Sequence, residues 1–307
     1  MTGLVVERPG LLTTVQDDGR HGWQHLGVPV SGWMDNWSAT LANRLAGNPP
    51  GHAVLEITLV GPTLRADGPV TIAVTGAIVD VTVGTRSLRS PFVTSVTRGE
   101  TIAFGMRRRG TRAYLACRGG ILAHAVLGSA STDIRAGLGG RRLRAGDTLA
   151  IGPASSLDRQ PHELDPPDWL FAPLLRMLPG PDDERWTAAA LEALVESPYT
   201  IAPASDRTGY RLEGPTLPAP SGVMVSAPVV TGTLQVPPSG QPILLMADCQ
   251  TTGGYARLGV LAAADRAVAA QLGPGDRCTF VRCSWADAAR AAAERGALMN
   301  AVVESAR

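Results

Sequence analysis

A mainly β chain built from a duplicated unit is what the sequence predicts, on three observations. The first is punctuation: 35 glycines and 24 prolines break the 307 residues into short pieces. The second is the apolar run between such breaks. VTIAVTGAIVDVTV at 70–83, rich in β-branched residues, is the clearest of these strands. The third is internal repetition. Arg20-His21-Gly22-Trp23 is echoed by Arg207-Thr208-Gly209-Tyr210, and Gly61-Pro62-Thr63-Leu64 recurs at Gly214-Pro215-Thr216-Leu217. Thr75-Gly76 recurs at Thr231-Gly232, and Gly146-Asp147 recurs at Gly275-Asp276. The unequal spacings place a helical insertion at 24–58 of the first copy. A unit of roughly six to eight strands closes most naturally as a barrel, which leaves no exposed edge. The expected division is therefore 1–160 for a first β unit and 161–307 for a second with a C-terminal helix.

Few segments read as helix. Residues 35–46 open on Asp35, a good N-cap, present Trp37, Leu41 and Leu45 on one face, and stop at Gly47. Residues 182–196 begin with Asp182, Asp183 and Glu184, which suit the positive end of a helix dipole, and then align Trp186, Leu191, Leu194 and Val195. A short helix is expected near 263–271, ended by Gly273-Pro274. The last, about 285–303, is Ala-rich and follows Ser284 as its cap.

Composition excludes several chemistries. The formal net charge is +1, which gives no reason to expect nucleic acid or an anionic membrane as partner. All 28 basic residues are Arg. Without lysine there is no Schiff base, no biotin attached to this chain and no Walker-type phosphate loop. Cys117, Cys249, Cys278 and Cys283 match neither a disulfide framework nor a zinc pattern, and buried free thiols are expected. No metal site is expected, because His21 and His25 lack the Glu of a metalloprotease and no histidine follows His162. The N-terminus carries no signal-peptide pattern and no apolar run is long enough to span a bilayer, so a cytoplasmic protein is expected.

Three segments are more polar or Gly-rich than a bare β scaffold needs. They are Val15-Gln16-Asp17-Asp18-Gly19-Arg20, Val28 to Asp35 with Ser31 and Asp35, and Ala247 to Tyr255 after the apolar run Ile243–Met246. In the third, a strand empties into Asp248, Gln250, Thr251, Thr252, Gly253, Gly254 and Tyr255. Glycines free to take positive φ, together with hydroxyl donors, suit an anion-binding turn; a capped β-turn with purely local bonds is the other reading.

The segments VERPGLLTTVQDDGRHGWQHLGVPVSGWMD, LANRLAGNP, LEITLVGPTL, ACRGGI, VLGSAST, LPGP, SDRTGYRLEG, LQVPPSGQPILLMADCQTTGGY and PGD resemble, in order and over nearly the whole chain, the family of the 5-oxoprolinase C-type subunit. That family is also described as allophanate hydrolase subunit 2, KipA-like, or biotin-dependent carboxyltransferase domain. Trp33, Asp182 and Ala256 depart from its usual residues. The resemblance implies tandem cyclophilin-like β-barrel units with a few peripheral helices. It also implies a hetero-oligomeric partnership with homologues of the KipI-like B-type and the A-type subunits of 5-oxoprolinase. The implied reaction is ATP-dependent opening of 5-oxo-L-proline to L-glutamate, with ATP and Mg bound here or in a partner subunit. An unstrained lactam resists hydrolysis, so phosphorylation of its oxygen would supply the leaving group. The alternatives are an allophanate hydrolase or urea carboxylase-type carboxyltransferase subunit, and a non-enzymatic antagonist of a kinase inhibitor.

The matching motifs nominate site residues. Asp248, Gln250, Thr251 and Arg207 are the catalytic candidates, with Asp248 as general base in a half without histidine. Arg20, Gln16, Ser31, Asp35, Gln235, Thr252, Gly253, Gly254 and Tyr255 are the substrate-binding candidates. Each has a structural alternative. Arg20 and Arg207 either clamp a carboxylate or pair with Asp17 and Asp206; Asp35 either orients substrate or only caps its helix. Gln235 either faces the Gly-Gly-Tyr turn as a hydrogen-bonding partner or is a plain strand-end residue, and Tyr255 either stacks on a ring or packs beside the barrel.

Overall fold

The computed structural model describes residues 2–155, 160–220 and 224–306, and these fold as two units of mostly strand. The first comprises 1–20, 31–170 and 299–307; the second comprises 21–30 and 171–298. Strand His162–Glu163 pairs with Phe92–Val96 of the first unit, so the chain leaves that unit after Leu170 and not at the expected 160.

Eleven strands form the sheet of the first unit. Its axis is the antiparallel pair Val70–Val83 and Thr101–Cys117, whose register shifts between Gly76 and Val81. Thr101–Cys117 is long enough to serve two further partners, Thr63–Ala66 at one end and Val54–Thr58 at the other. Leu55, Ile57, Ile72, Val74, Leu115 and Phe92 lie in its core, each almost inaccessible to solvent. The expected helical insertion is shorter than 24–58, because Val54–Thr58 is a strand. Its helix is α1, Asn36–Ala46. Asp35 caps it by accepting from the Ser38 amide at 2.8 Å, and Gly47 ends it at φ +77°. Trp37, Leu41 and Leu45 are buried as the spacing requires.

In the second unit the strand order closes on itself. Seven strands form the ring: Leu174–Pro179, Ala256–Leu261, Thr233–Val236, Ile243–Leu245, Gly209–Glu213, Tyr199–Ile201 and Arg277–Arg282. Leu174–Pro179 and Arg277–Arg282 run parallel, and the other neighbours are antiparallel. A separate ribbon pairs Ala227–Pro228 with Thr252–Gly253. Helix α2 is Ala188–Glu196, capped by Thr187, and does not begin at Asp182. The acids expected to charge its first turn are drawn into ion pairs instead, Asp182 with Arg257 and Asp183 with Arg282. Helix α3, Arg266–Gln271, follows a 3-10 turn at Ala263–Asp265. The last helix, α4, is Trp285–Ser305. Ser284 Oγ accepts from the Asp287 amide at 3.1 Å while Asp287 accepts from the Ser284 amide at 3.2 Å, a reciprocal cap. Among the described residues no helix is long and apolar enough to cross a membrane.

One repeated motif is repeated in three dimensions. Gly146 and Gly275 have φ +89° and +88°. Gly146 donates to Val6 O at 2.8 Å and Val6 donates back to Asp147 O at 2.8 Å; Gly275 and Ile201 make the same exchange through Asp276 O at 2.8 and 2.9 Å. Asp147 accepts from the Arg144 amide, and Asp276 from the Gly273 amide, at 2.8 Å each. Two other motif pairs are not equivalent. Thr63-Leu64 opens a strand whereas Thr216-Leu217 lies beyond one, and Thr75-Gly76 lies inside a strand whereas Thr231-Gly232 precedes one.

The Asp35 cap is testable. Its second carboxylate oxygen also accepts from Ser38 Oγ at 2.6 Å, and the residue is fully buried. Asp35→Ala therefore costs about 2 kcal/mol of stability, the upper part of the range for lost caps, read as a lower urea midpoint at unchanged slope.

Candidate functional site

The polar candidates gather in separate clusters, two in the first unit and one in the second. In the first unit the chain leaves strand Leu12–Gln16 and turns at Asp17. Asp17 Oδ1 accepts from Ser131 Oγ at 2.6 Å, from the Gly19 amide at 2.9 Å and from Ser129 Oγ; Oδ2 accepts from the Ala130 amide at 2.6 Å. Burial pushes the Asp17 carboxyl up, but the bonds from Ser129, Ser131, Gly19 and Ala130 outweigh it and hold the group below its ordinary value. Gln16 is fully buried; its amide donates to Thr14 Oγ1 at 3.1 Å and to Thr132 O at 2.9 Å. Arg20 is 1% exposed and donates to Val126 O at 3.4 Å and to Ser131 O. It does not pair with Asp17. Ser31, at φ +56°, lies with its Oγ 3.5 Å from Asp133 Oδ2.

The second cluster of this unit was not legible in the sequence. Glu56 lies within VLEIT, where alternation points it away from Leu55 and Ile57 and so toward solvent. It is nevertheless 1% exposed. Its Oε2 accepts from Tyr114 Oη and from the Met34 amide, both at 2.9 Å, and Arg112 Nε stands 3.9 Å from Oε1. Tyr114 Oη in turn accepts from the Asp35 amide at 2.8 Å. Burial first, then the Glu56 and Asp35 carboxylates, push the Tyr114 phenol well above its ordinary value, so it remains a donor. Asp35 is thus tied to its helix and to this network. The only sequence signal was an acid inside an apolar strand.

In the second unit, strand Ile243–Leu245 leads to Asp248, whose two oxygens accept from Arg207 Nε and Nη2 at 2.8 and 2.9 Å. Both side chains are 8% exposed, which makes this a buried bidentate pair. The backbone follows the same path, the Asp248 amide donating to Arg207 O at 2.8 Å. Asp206, the expected partner of Arg207, instead accepts from the Thr208 amide at 2.7 Å. Beyond the buried Cys249 the side chains turn outward: Gln250, Thr252 and Tyr255 are exposed and Thr251 is half-buried. Gly253 and Gly254 do not take positive φ, contrary to the anion-turn expectation. Gly253 is instead distinguished by its close contact with Gln235. A Cβ there would lie 2.3 Å from Nε2 of Gln235, whose buried amide packs directly on the backbone of residue 253. Gly254 and Tyr255 line a cavity of about 530 Å³, whose other walls include Val236, Ala256, Pro218 and Pro238. Asp248, Gln250 and Thr251 do not line it.

Cys117, Cys249 and Cys278 are buried, and none of the four cysteines is paired. Burial pushes the Cys117 and Cys278 thiols up to about 12 and that of Cys249 up to about 11, so none is a thiolate nucleophile near neutral pH. Among the described residues no group of three His, Cys, Asp or Glu side chains could hold a metal ion.

Comparison with known proteins places this geometry. A family model described as "Carboxyltransferase domain, subdomain A and B" matches residues 26–282. The C-type subunit of 5-oxoprolinase from Escherichia coli (strain K12) is 35% identical over 292 residues, covering 94% of this chain and 94% of that protein. The crystal structure of TTHA0988 is similar at TM-score 0.84 and 37% identity over 92% of this chain, which spans 56% of the solved one. The K. lactis urea amidolyase structure is similar at TM-score 0.85 and 29% identity over 98% of this chain, which spans 20% of that longer protein.

Two measurements test the clusters. Asp248→Ala removes the carboxylate half of a buried bidentate pair and costs roughly 3–5 kcal/mol. Adding Arg207→Met returns a large part of that loss, so the two substitutions are strongly non-additive in urea unfolding. The second test concerns acid. Asp17 binds its proton less readily folded than unfolded, so its contribution is complete above the unfolded value and is lost as pH falls below about 4. Unfolding free energy therefore declines with acidification in that window, and Asp17→Asn flattens the decline.

Proposed function

The chain belongs to the carboxyltransferase-domain family, subdomains A and B, and from that premise we propose that it is the C-type subunit of an ATP-dependent complex that opens 5-oxo-L-proline to L-glutamate. One observation carries the choice of substrate. The match to the 5-oxoprolinase C-type subunit runs end to end, over 94% of both chains, whereas the match to urea amidolyase occupies one-fifth of a much longer protein. A carboxyltransferase role is the second reading, favoured by the family description and by the TM-score of 0.85 to that amidolyase.

In this proposal the turn from Asp248 to Tyr255 presents the substrate. The buried Arg207–Asp248 pair fixes where the turn begins, so Asp248 is a positioning residue whose carboxylate is committed to Arg207. Gly254 and Tyr255, at the end of that turn, form part of the wall of the adjoining cavity. At 530 Å³ that cavity is of small-molecule size, and its proline, valine and alanine walls suit the methylenes of a five-membered ring.

Among the described residues, the Asp248 and Asp17 carboxylates are already engaged and do not make an ATP–Mg cradle. The Asp248 oxygens face Arg207, and those of Asp17 are taken by Ser129, Ala130, Ser131 and Gly19. In this proposal the nucleotide and its Mg are held by a partner chain, a homologue of the B-type or A-type subunit.

The expected behaviour is that the isolated chain shows no 5-oxoproline-dependent ATP hydrolysis and acquires it on co-purification with its B-type and A-type partners. Phosphate release with 5-oxo-L-proline, urea and allophanate as alternative substrates decides between the readings. Robust activity of the single chain, or a response to urea or allophanate alone, overturns the proposal.

A further inference from the structure

We propose that Arg20 is a receptor for a carboxylate monoanion, covered by the glycine-rich loop 133–140 of its own unit. The proposal rests on a charge without a counter-charge. A guanidinium cannot escape burial by losing its proton, so a dry one is paired or costly. Arg20 is 1% exposed, yet its acceptors are two backbone carbonyls, Val126 O and Ser131 O, and its buried Nη1 has no acceptor among the described residues.

The carboxylates of Asp17 and Asp133 are committed elsewhere. Asp17, three residues away, is saturated by Ser129, Ala130, Ser131 and Gly19. Asp133 Oδ1 accepts from the amides of Arg135 and Ala136 at 3.0 and 2.9 Å, and its Oδ2 faces Ser31. On the same strand exit, the buried Oε1 of Gln16 also lacks a partner among the described residues.

The cover is built to be separable. Asp133 and Leu138 exchange both backbone hydrogen bonds, at 2.9 and 3.1 Å, so the turn between them holds its shape without help from Arg20. Gly137, Gly139 and Gly140 have φ of +67°, +71° and +131°, conformations that favour glycine, and residues 134–137 are exposed. At Gly139 the backbone lies directly on the guanidinium: a Cβ there would stand 2.7 Å from Arg20 Nη2 and 2.0 Å from Ser131 O. Lifting the turn about Gly139 and Gly140 uncovers the fork without breaking a hydrogen-bonded strand. The planar fork accepts carboxylate or phosphate in two parallel bonds, but a monoanionic carboxylate offsets the single unit charge whereas a phosphate dianion would bury an excess one.

The test uses the full chain and needs no turnover, so it is read independently of the proposed reaction. Melting temperature is followed against sodium formate, sodium phosphate and sodium chloride at matched ionic strength, with 5-oxo-L-proline as a further arm. A saturable rise with formate that chloride and phosphate do not reproduce is expected. Arg20→Gln abolishes it, and Arg20→Lys, which keeps the charge but not the fork, weakens it about tenfold or more. If Arg20→Gln does not fold, Arg20→Lys alone decides. An absent rise in the natural chain, an equal rise with phosphate, or an undiminished rise in the folded Arg20 variant overturns the proposal. A rise with formate but none with 5-oxo-L-proline keeps the receptor and removes that lactam as its ligand.

Discussion

Pairing of guanidinium with carboxylate in dry surroundings is the interaction on which the order of the second unit depends. Apolar burial drives strands together but does not say where each must end. In this barrel the ends are set by arginine forks. Arg207 and Asp248 join the start of one strand to the exit of its neighbour. Asp265, fully buried, accepts from Arg176 on strand Leu174–Pro179 and from Arg295 on α4. Asp182 accepts from the backbone and side chain of Arg257, and this forked pair holds the Asp182 carboxyl below its ordinary value despite burial. A chain with arginine and no lysine is suited to this, since a fork fixes direction where an ammonium fixes only distance.

What was legible in the sequence is what local physics decides. The apolar stripe of α1, its Asp35 cap and Gly47 stop, and the Ser284 cap of α4 follow from spacing and capping chemistry within a few residues. The β class follows from punctuation and β-branched runs. The failures arise where a distant partner outbids the local preference. Asp182 and Asp183 suit a helix start, yet Arg257 and Arg282 bind them, and α2 begins only at Ala188. Glu56 reads as outward-facing until the network beneath α1 turns its face of the strand into interior.

The candidate site divides the same way. Its members were visible as a polar cluster at the end of an apolar strand, because strands seldom carry Asp-x-Gln-Thr-Thr without a reason. Their arrangement was not visible. Which arginine meets Asp248 depends on register between strands Gly209–Glu213 and Ile243–Leu245, which no single segment encodes. Likewise the neighbour that Gly253 packs on is the amide of Gln235, eighteen positions earlier, a contact that no local segment encodes.

The Gly-Asp turns at 146–147 and 275–276 match in dihedral angle, in backbone exchange and in side-chain acceptor, while the arginines at corresponding motif positions have different partners: carbonyls for Arg20, a carboxylate for Arg207. If both copies descend from one ancestor, they have diverged unevenly. The backbone closure is the same in both, while the charged positions have taken different partners. The ancestor inferred from such a pair would preserve a scaffold and tell little about a ligand, so specialisation of the two halves is a history written in side chains alone.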